Sequence, residues 1–342
     1  GGGRRAWGGG AASAYLVAGE YAASLNATPL CVRAASVEAA KRGPTQATRM
    51  LLARGYLAGR EFEACREALS EALVVDKRLS EAMNMKAHSF FMELGWPNHR
   101  SGQPLPASAE AIGLFVKASE ARVPFNDALS RLRLGKLYLA TRRWYDAKAV
   151  FLEACRLEPS TTTWLGLAEA CLHGGEVDQA EEALAEGNIL DPKNAEVWGV
   201  LTIVCMLLDK VKDAEASLKQ ALTLGLSIKE TFPVDRFILE QMGNQFRNRG
   251  MYQLALQAYR RGILPKSPAP AMCDALAGCL VRVNELQEAV ATYALIVESG
   301  NATLQEKEEA LTSCVELSRQ LKREADVDKY GRMLHSLRTA PP

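Results

Sequence analysis

The sequence predicts an all-α chain, an array of antiparallel helical hairpins, on three observations. From Thr45 to Leu337, apolar residues recur at three- and four-residue spacing in segments rich in Ala, Leu, Glu, Gln and Arg. Alternating runs of β-branched residues, the mark of half-buried strands, are hard to find. One set of small and large residues also returns at constant offsets through consecutive segments, which is an internal repeat. The composition fits a folded chain: of 342 residues, 48% are apolar and 24% charged, which excludes disorder throughout.

Residues 1–45, with Gly1-Gly2-Gly3 and Gly8-Gly9-Gly10, read as a glycine-rich linker and a weak N-terminal helical hairpin. The chain starts without Met and reads as a fragment of something longer. Residues 46–303 form the expected array of about seven hairpins, each of two helices about a dozen residues long. The first opens near Gln46 and carries Leu52-Ala53, Tyr56, Phe62, Cys65, Leu69 and Ala72. The second starts at Ser80, has Ala87 and Phe90 on one helix and Ala111, Phe115 and Ala118 on the other, and takes an insertion near 95–106 at its turn. Insertions of this kind map to a loop on one face of a repeat stack, where function often resides.

The clearest repeats follow. Leu134-Gly135, Tyr138, Ala147, Phe151, Ala154 and Pro159 share their offsets with Leu167-Ala168, Cys171, Ala180, Leu184, Gly187 and Pro192. The frame continues through Trp198, Leu201, Cys205, Ala214, Leu218 and Ala221, then through Met242-Gly243, Phe246, Ala255, Tyr259 and Gly262, then through Leu276-Ala277, Leu280, Ala289 and Tyr293. A period of about 34 residues with this spacing is the tetratricopeptide pattern, and it predicts a right-handed superhelical solenoid. Each offset has a mechanical reason. Gly135, Ala147, Ala180, Ala214, Gly243, Ala255 and Ala289 stand where two helices approach most closely; Tyr138, Phe151, Trp164 and Trp198 fill the spaces between; Pro159 and Pro192 end second helices. Leu226 to Asp235 adds about seven residues between repeats, where a short extra turn or a changed superhelical angle is expected. Residues 304–342 match the frame weakly and read as C-terminal capping helices and a tail.

Several function classes are set aside. Lys and Arg number 41 against 40 Asp and Glu, a net charge of +1, and no dense basic patch is visible, so no nucleic-acid partner is expected. No apolar run approaches the roughly 18 residues of a membrane span, and no membrane partner is expected. The eight cysteines include no Cys-x-x-Cys pair and no His at ligand spacing, which argues against a metal site and suits buried, reduced thiols of the cytoplasm. His88, His99, His173 and His335 lie in distant repeats without a partnered nucleophile, and no phosphate-cradling loop is present. Neither a catalytic residue, a cofactor nor a small-molecule substrate is expected.

Binding is then argued from the inner positions of the first helices. Leu132, Lys136, Leu165, Glu169, Ile203, Met206 and Leu207 describe a mostly apolar groove, with Leu165, Ile203 and Met206 as anchors, and the lining turns polar at Asn244 and Arg247. Chaperone-tail clamps place Lys and Asn where this chain has Leu132, Leu165 and Glu169, so that class is rejected.

The run TWLGLAEACLHGGEVDQAEEALAEGNILDPKNAEVWGVLTIVCMLLDKVKDAEASLKQALTLGL from Thr163, with the preceding LRLGKLYLATRRWYDAKAVFLEACRLEPS, resembles the C-terminal repeat region of the cilia- and flagella-associated protein 70 family. The likeness is clearest from Leu132 to Leu226. It implies a non-catalytic scaffold of the motile axoneme, in the cytoskeleton of a cilium or flagellum, with other axonemal proteins as partners and a place in the central apparatus or in dynein-arm regulation. Other readings of the same pattern are a scaffold subunit of intraflagellar transport, of a ubiquitin ligase or of a secretion complex, or the regulatory array of an enzyme.

Overall fold

The computed structural model describes residues 28–94, 106–121, 127–226, 234–263 and 268–339. They form seventeen helices and contain no strand. Two compact units divide the chain, 1–159 and 160–342. The first contains α1 (Thr28–Arg42), α2 (Gln46–Ala58), α3 (Phe62–Val75), α4 (Ser80–Glu93), α5 (Pro106–Glu120), α6 (Ala128–Ala140) and α7 (Trp144–Leu157). The second contains α8 (Thr161–His173), α9 (Val177–Leu190), α10 (Ala195–Leu207), α11 (Val211–Thr223), α12 (Val234–Asn248), α13 (Tyr252–Gly262), α14 (Pro270–Arg282), α15 (Leu286–Glu298), α16 (Leu304–Gln320) and α17 (Glu324–Thr339). From α2 onward each even-numbered helix pairs with the next as a hairpin, and α1 packs on α2.

The two helices of a hairpin begin differently. First helices tend to start from a side-chain cap, which satisfies amide groups that lack an intrahelical partner. Thr45 and Thr48 form a reciprocal capping box, as do Ser160 with Thr163 and Thr303 with Glu306; Asp127 accepts from the Ser130 N–H, and Asn194 from the Glu196 and Val197 N–H groups. Second helices instead leave directly from the turn. In seven hairpins one turn residue sits in the left-handed region: Arg60 (φ 62°), Arg142 (58°), Gly175 (82°), Asp209 (61°), Gly250 (73°), Asn284 (65°) and Lys322 (57°). The amide of the following residue reaches back five positions to the first helix, from Glu61 to the Tyr56 carbonyl, Arg143 to Tyr138, Glu176 to Cys171, Lys210 to Cys205, Met251 to Phe246, Glu285 to Leu280 and Arg323 to Ser318, at 2.8–3.0 Å. This six-to-one closure reverses the chain within three residues and sets the hairpin angle. The eighth hairpin, α4–α5, is joined by 95–105, so the insertion expected there lies outside the described residues, as does most of the Leu226 to Asp235 addition.

Packing follows from side-chain size. Ala147, Ala180, Ala214, Ala255 and Ala289, each fourth in its second helix, are fully buried, and Cys65 takes that place in α3. Gly135 lets the Phe151 ring lie against the α6 backbone: a Cβ at Gly135 would stand 2.6 Å from Phe151 Cζ. Gly243 and Tyr259 repeat that arrangement between α12 and α13. Ion pairs tie neighbouring repeats at the surface, among them Arg54–Glu81 at 2.6 Å, Arg66–Glu93 at 2.6 Å and Arg260 with Glu285 and Glu288 at 2.7 and 2.8 Å. Each contributes about 1 kcal/mol or less.

Candidate protein-interaction surfaces

The nine residues expected to line a groove divide by burial. Leu132 and Lys136 belong to the first unit, the rest to the second. Leu132, Leu165, Glu169 and Ile203 are 5–8% exposed and Met206 not at all. In this structure these five are interior residues, which alters the expectation for the anchors: Ile203→Asp would place a carboxylate in the interior and disturb folding before it touched docking. For Ile203 and Met206 on α10, the tight approach of α12 is part of the reason. A Cβ at Gly199 would meet Ile238 Cγ2 at 2.6 Å and Leu226 Cδ2 at 3.0 Å, so little space separates these neighbours.

Leu207 is 46% exposed. Lys136, Asn244 and Arg247 are half-buried. Asn244 has a structural task as well, since its Oδ1 accepts from the buried Tyr259 hydroxyl at 2.6 Å. Burial pushes that phenol far up, so it stays a donor at every ordinary pH. Arg247 lies near Asp274, whose carboxyl burial raises and the Arg247 charge lowers. The polar end of this surface is therefore a set of interacting groups on α12 and α14. Val281, at the end of α14, is 37% exposed and adds an apolar contact there.

The remaining repeat positions also have defined places. Tyr138 is buried, with the Arg143 guanidinium 4.5 Å from its ring centroid. Trp164 and Trp198 are half-buried, and the Trp198 indole N–H donates to the Pro192 carbonyl at 2.9 Å. The seven cysteines whose side chains are described form no disulfide, and all seven are buried. Burial pushes the Cys65, Cys205 and Cys273 thiols up to about 11 and Cys314 to about 12, so the reactive thiolate is disfavoured at each. Among the described residues no group of three or more His, Cys, Asp or Glu could hold a metal ion, and no helix is long and apolar enough to cross a membrane.

Sequence reasoning missed a polar cluster between α4 and α6. His88 Nδ1 and, one turn away on α4, Asn84 Oδ1 are buried without a hydrogen-bond partner among the described residues, and the charge of the half-buried Arg133 acts on His88. Two of its three members are uncharged at pH 7, so no charge pattern in the sequence marks it.

Comparison with known proteins matches the cilia and flagella-associated protein 70 C-terminal domain to residues 105–314. Cilia- and flagella-associated protein 70 of Homo sapiens is 33% identical over 184 residues, 54% of this chain, and that of Macaca fascicularis is 33% identical over 168 residues, 45% of this chain. The matches span 15% and 16% of those proteins' lengths. Among solved structures, YrrB, described as a TPR protein with an unusual peptide-binding site, is similar with a TM-score of 0.50 at 15% identity, over 57% of this chain and 93% of YrrB. That likeness concerns the fold, and it agrees with the hairpins, turns and small-residue contacts described above. With the family match extending over most of the chain, from α5 into α16, the chain belongs to the cilia- and flagella-associated protein 70 family and carries its C-terminal tetratricopeptide domain.

Proposed function

We propose that the chain is a non-catalytic protein-interaction scaffold of the motile ciliary or flagellar axoneme, acting in the central apparatus or in dynein-arm regulation and binding segments of other axonemal proteins. The family match over residues 105–314 carries this reading. The fold supports it physically, because within each unit the stacked hairpins present a surface of first helices on which a partner segment can lie. The accessible part of the second unit's surface includes Leu207, Asn244 and Arg247; that of the first unit's own surface includes Lys136. Leu132 in the first unit and Leu165, Ile203 and Met206 in the second are buried and are not part of the accessible surface. Expression of the tagged chain in ciliated cells tests the placement. Signal along the axoneme that survives detergent extraction is the expected result; signal that stays in the soluble cell body contradicts it.

A further inference from the structure

The two units differ in charge in a way that the chain total conceals. Residues 1–159 hold 22 Lys and Arg against 15 Asp and Glu, a net of +7, whereas residues 160–342 hold 19 against 25, a net of −6. A field of that sign around the first unit attracts anionic partners and repels cationic ones.

Many cations of the first unit are already engaged: Arg49 with Glu71, Arg54 with Glu81, Arg66 with Glu93, Lys86 with Glu110, Arg131 with Glu153 and Arg143 with Asp146. Arg133 on α6 differs. It is half-buried, and among the described residues no carboxylate lies within ion-pair distance of it. Burial holds its guanidinium below the usual range, opposed by the more distant Asp127. The Asp127 carboxylate already accepts from the Ser130 N–H at 2.7 Å as the cap of α6. Across from Arg133, on α4, burial and the Arg133 charge push His88 down to about 4, so its imidazole is neutral at pH 7. His88 Nδ1 has no hydrogen-bond partner, and neither has Oδ1 of Asn84, one turn away on the same face and 8% exposed. A partly desolvated cation with no carboxylate in ion-pair contact among the described residues, near two unmatched polar atoms, is costly to the fold. Proteins keep such groupings where a ligand completes them.

We propose that Arg133, with His88 and Asn84 beside it, is an anion subsite of the first unit that receives a carboxylate from an acidic, extended segment of a partner protein. A carboxylate matches the fork of a guanidinium with two parallel hydrogen bonds. The amide of Asn84 and the neutral imidazole of His88 suit the N–H groups of a peptide backbone better than the bare oxygens of a polyphosphate. The +7 field brings such a segment in; Arg133 fixes its register. The proposal deepens the scaffold reading and depends on it for the protein nature of the partner.

The test uses the whole chain and a fluorescein-labelled twelve-residue peptide of alternating Glu and Ser, followed by anisotropy at low salt. Saturable binding is expected, weakened at least tenfold by Arg133→Glu and by Arg133→Gln, with unchanged circular dichroism. Arg156→Glu removes the same charge from an exposed position on α7 and should change affinity less than threefold. Equal losses from Arg133→Glu and Arg156→Glu would overturn the subsite in favour of a diffuse field. So would tighter binding of a twelve-residue oligothymidylate that displaces the peptide. A salt-sensitive dimer in sedimentation, abolished by Arg133→Glu, would assign the surface to a second copy, through its acidic unit, and overturn the proposal. Failure of the scaffold reading is seen separately, as loss of axonemal placement with peptide binding intact.

Discussion

Replacing Gly135 by Ala should destabilise the first unit, although the same change is usually favourable in a helix. A helical Gly→Ala change gains about 0.5–1 kcal/mol from reduced backbone freedom. At Gly135 the added Cβ would stand 2.6 Å from Phe151 Cζ and 2.8 Å from both Cε atoms. Phe151 is fully buried, so relief requires the ring or the helix to retreat by roughly an ångström through close-packed surroundings. Overpacking of this kind costs about 1–3 kcal/mol, which leaves a net loss between roughly 0 and 2.5 kcal/mol, centred near 1. Gly113, in α5 of the same unit, has nothing within 4 Å of an added Cβ, and Gly113→Ala should therefore stabilise by about 0.5–1 kcal/mol. Urea denaturation followed by far-ultraviolet circular dichroism compares the two, with hydrogen exchange of the α6 amides as a local reading. Phe151→Leu in the Gly135→Ala background should recover part of the loss, because the two changes share one contact. Stabilisation by Gly135→Ala similar to that by Gly113→Ala would refute the close-approach argument.

Further outcomes follow from the turns and from the buried ionisable groups. Arg60→Gly, Arg142→Gly and Lys322→Gly should each raise stability by up to about 1 kcal/mol, because their left-handed backbones disfavour a Cβ, whereas Gly175→Ala should lower it by about as much; thermal melts read both signs. Ala180→Trp should destabilise α8–α9 by roughly 1–3 kcal/mol or more, since Ala180 is fully buried. Stability against pH should show a plateau between the His and Cys windows. The lowered His88 contributes stability that is present above pH 6.5 and is lost as pH falls through about 4; the raised thiols contribute stability that is present below pH 9 and is lost as pH rises through about 11. Urea midpoints across the pH range check this. A thiol reagent at pH 8 should leave the seven buried cysteines, Cys65 through Cys314, unmodified until the chain unfolds.

The hairpins were legible because the information that makes them is local. Small residues at Gly135, Ala147 and Ala180, and breaks at Gly174-Gly175 and Arg249-Gly250, act within one pair of helices, so their spacing in sequence translates directly into contact. Turns at Arg60, Arg142 and Lys322 were less visible, since nothing in those side chains announces a left-handed residue; the reversed hydrogen bonds to Tyr56, Tyr138 and Ser318 enforce it. The groove was legible only as a face. Periodicity places Ile203 and Met206 on the inner side of α10, but their depth depends on how closely α12 approaches, and that distance is set by Gly199, Leu226 and Ile238 together. The Asn84, His88 and Arg133 cluster escaped notice because its members lie on two helices separated by the insertion, and because two of them carry no charge at pH 7.

Co-sedimentation with demembranated axonemes tests most directly whether accessible first-helix positions carry the binding. The chain should bind saturably, and a variant combining Leu207→Asp, Arg247→Glu and Val281→Asp, all at accessible positions, should bind at least tenfold more weakly. A variant carrying Glu182→Lys, exposed on the second helix α9, should bind as the parent does. Undiminished binding of the triple variant, or a chain that stays in the supernatant at every concentration, would contradict the account.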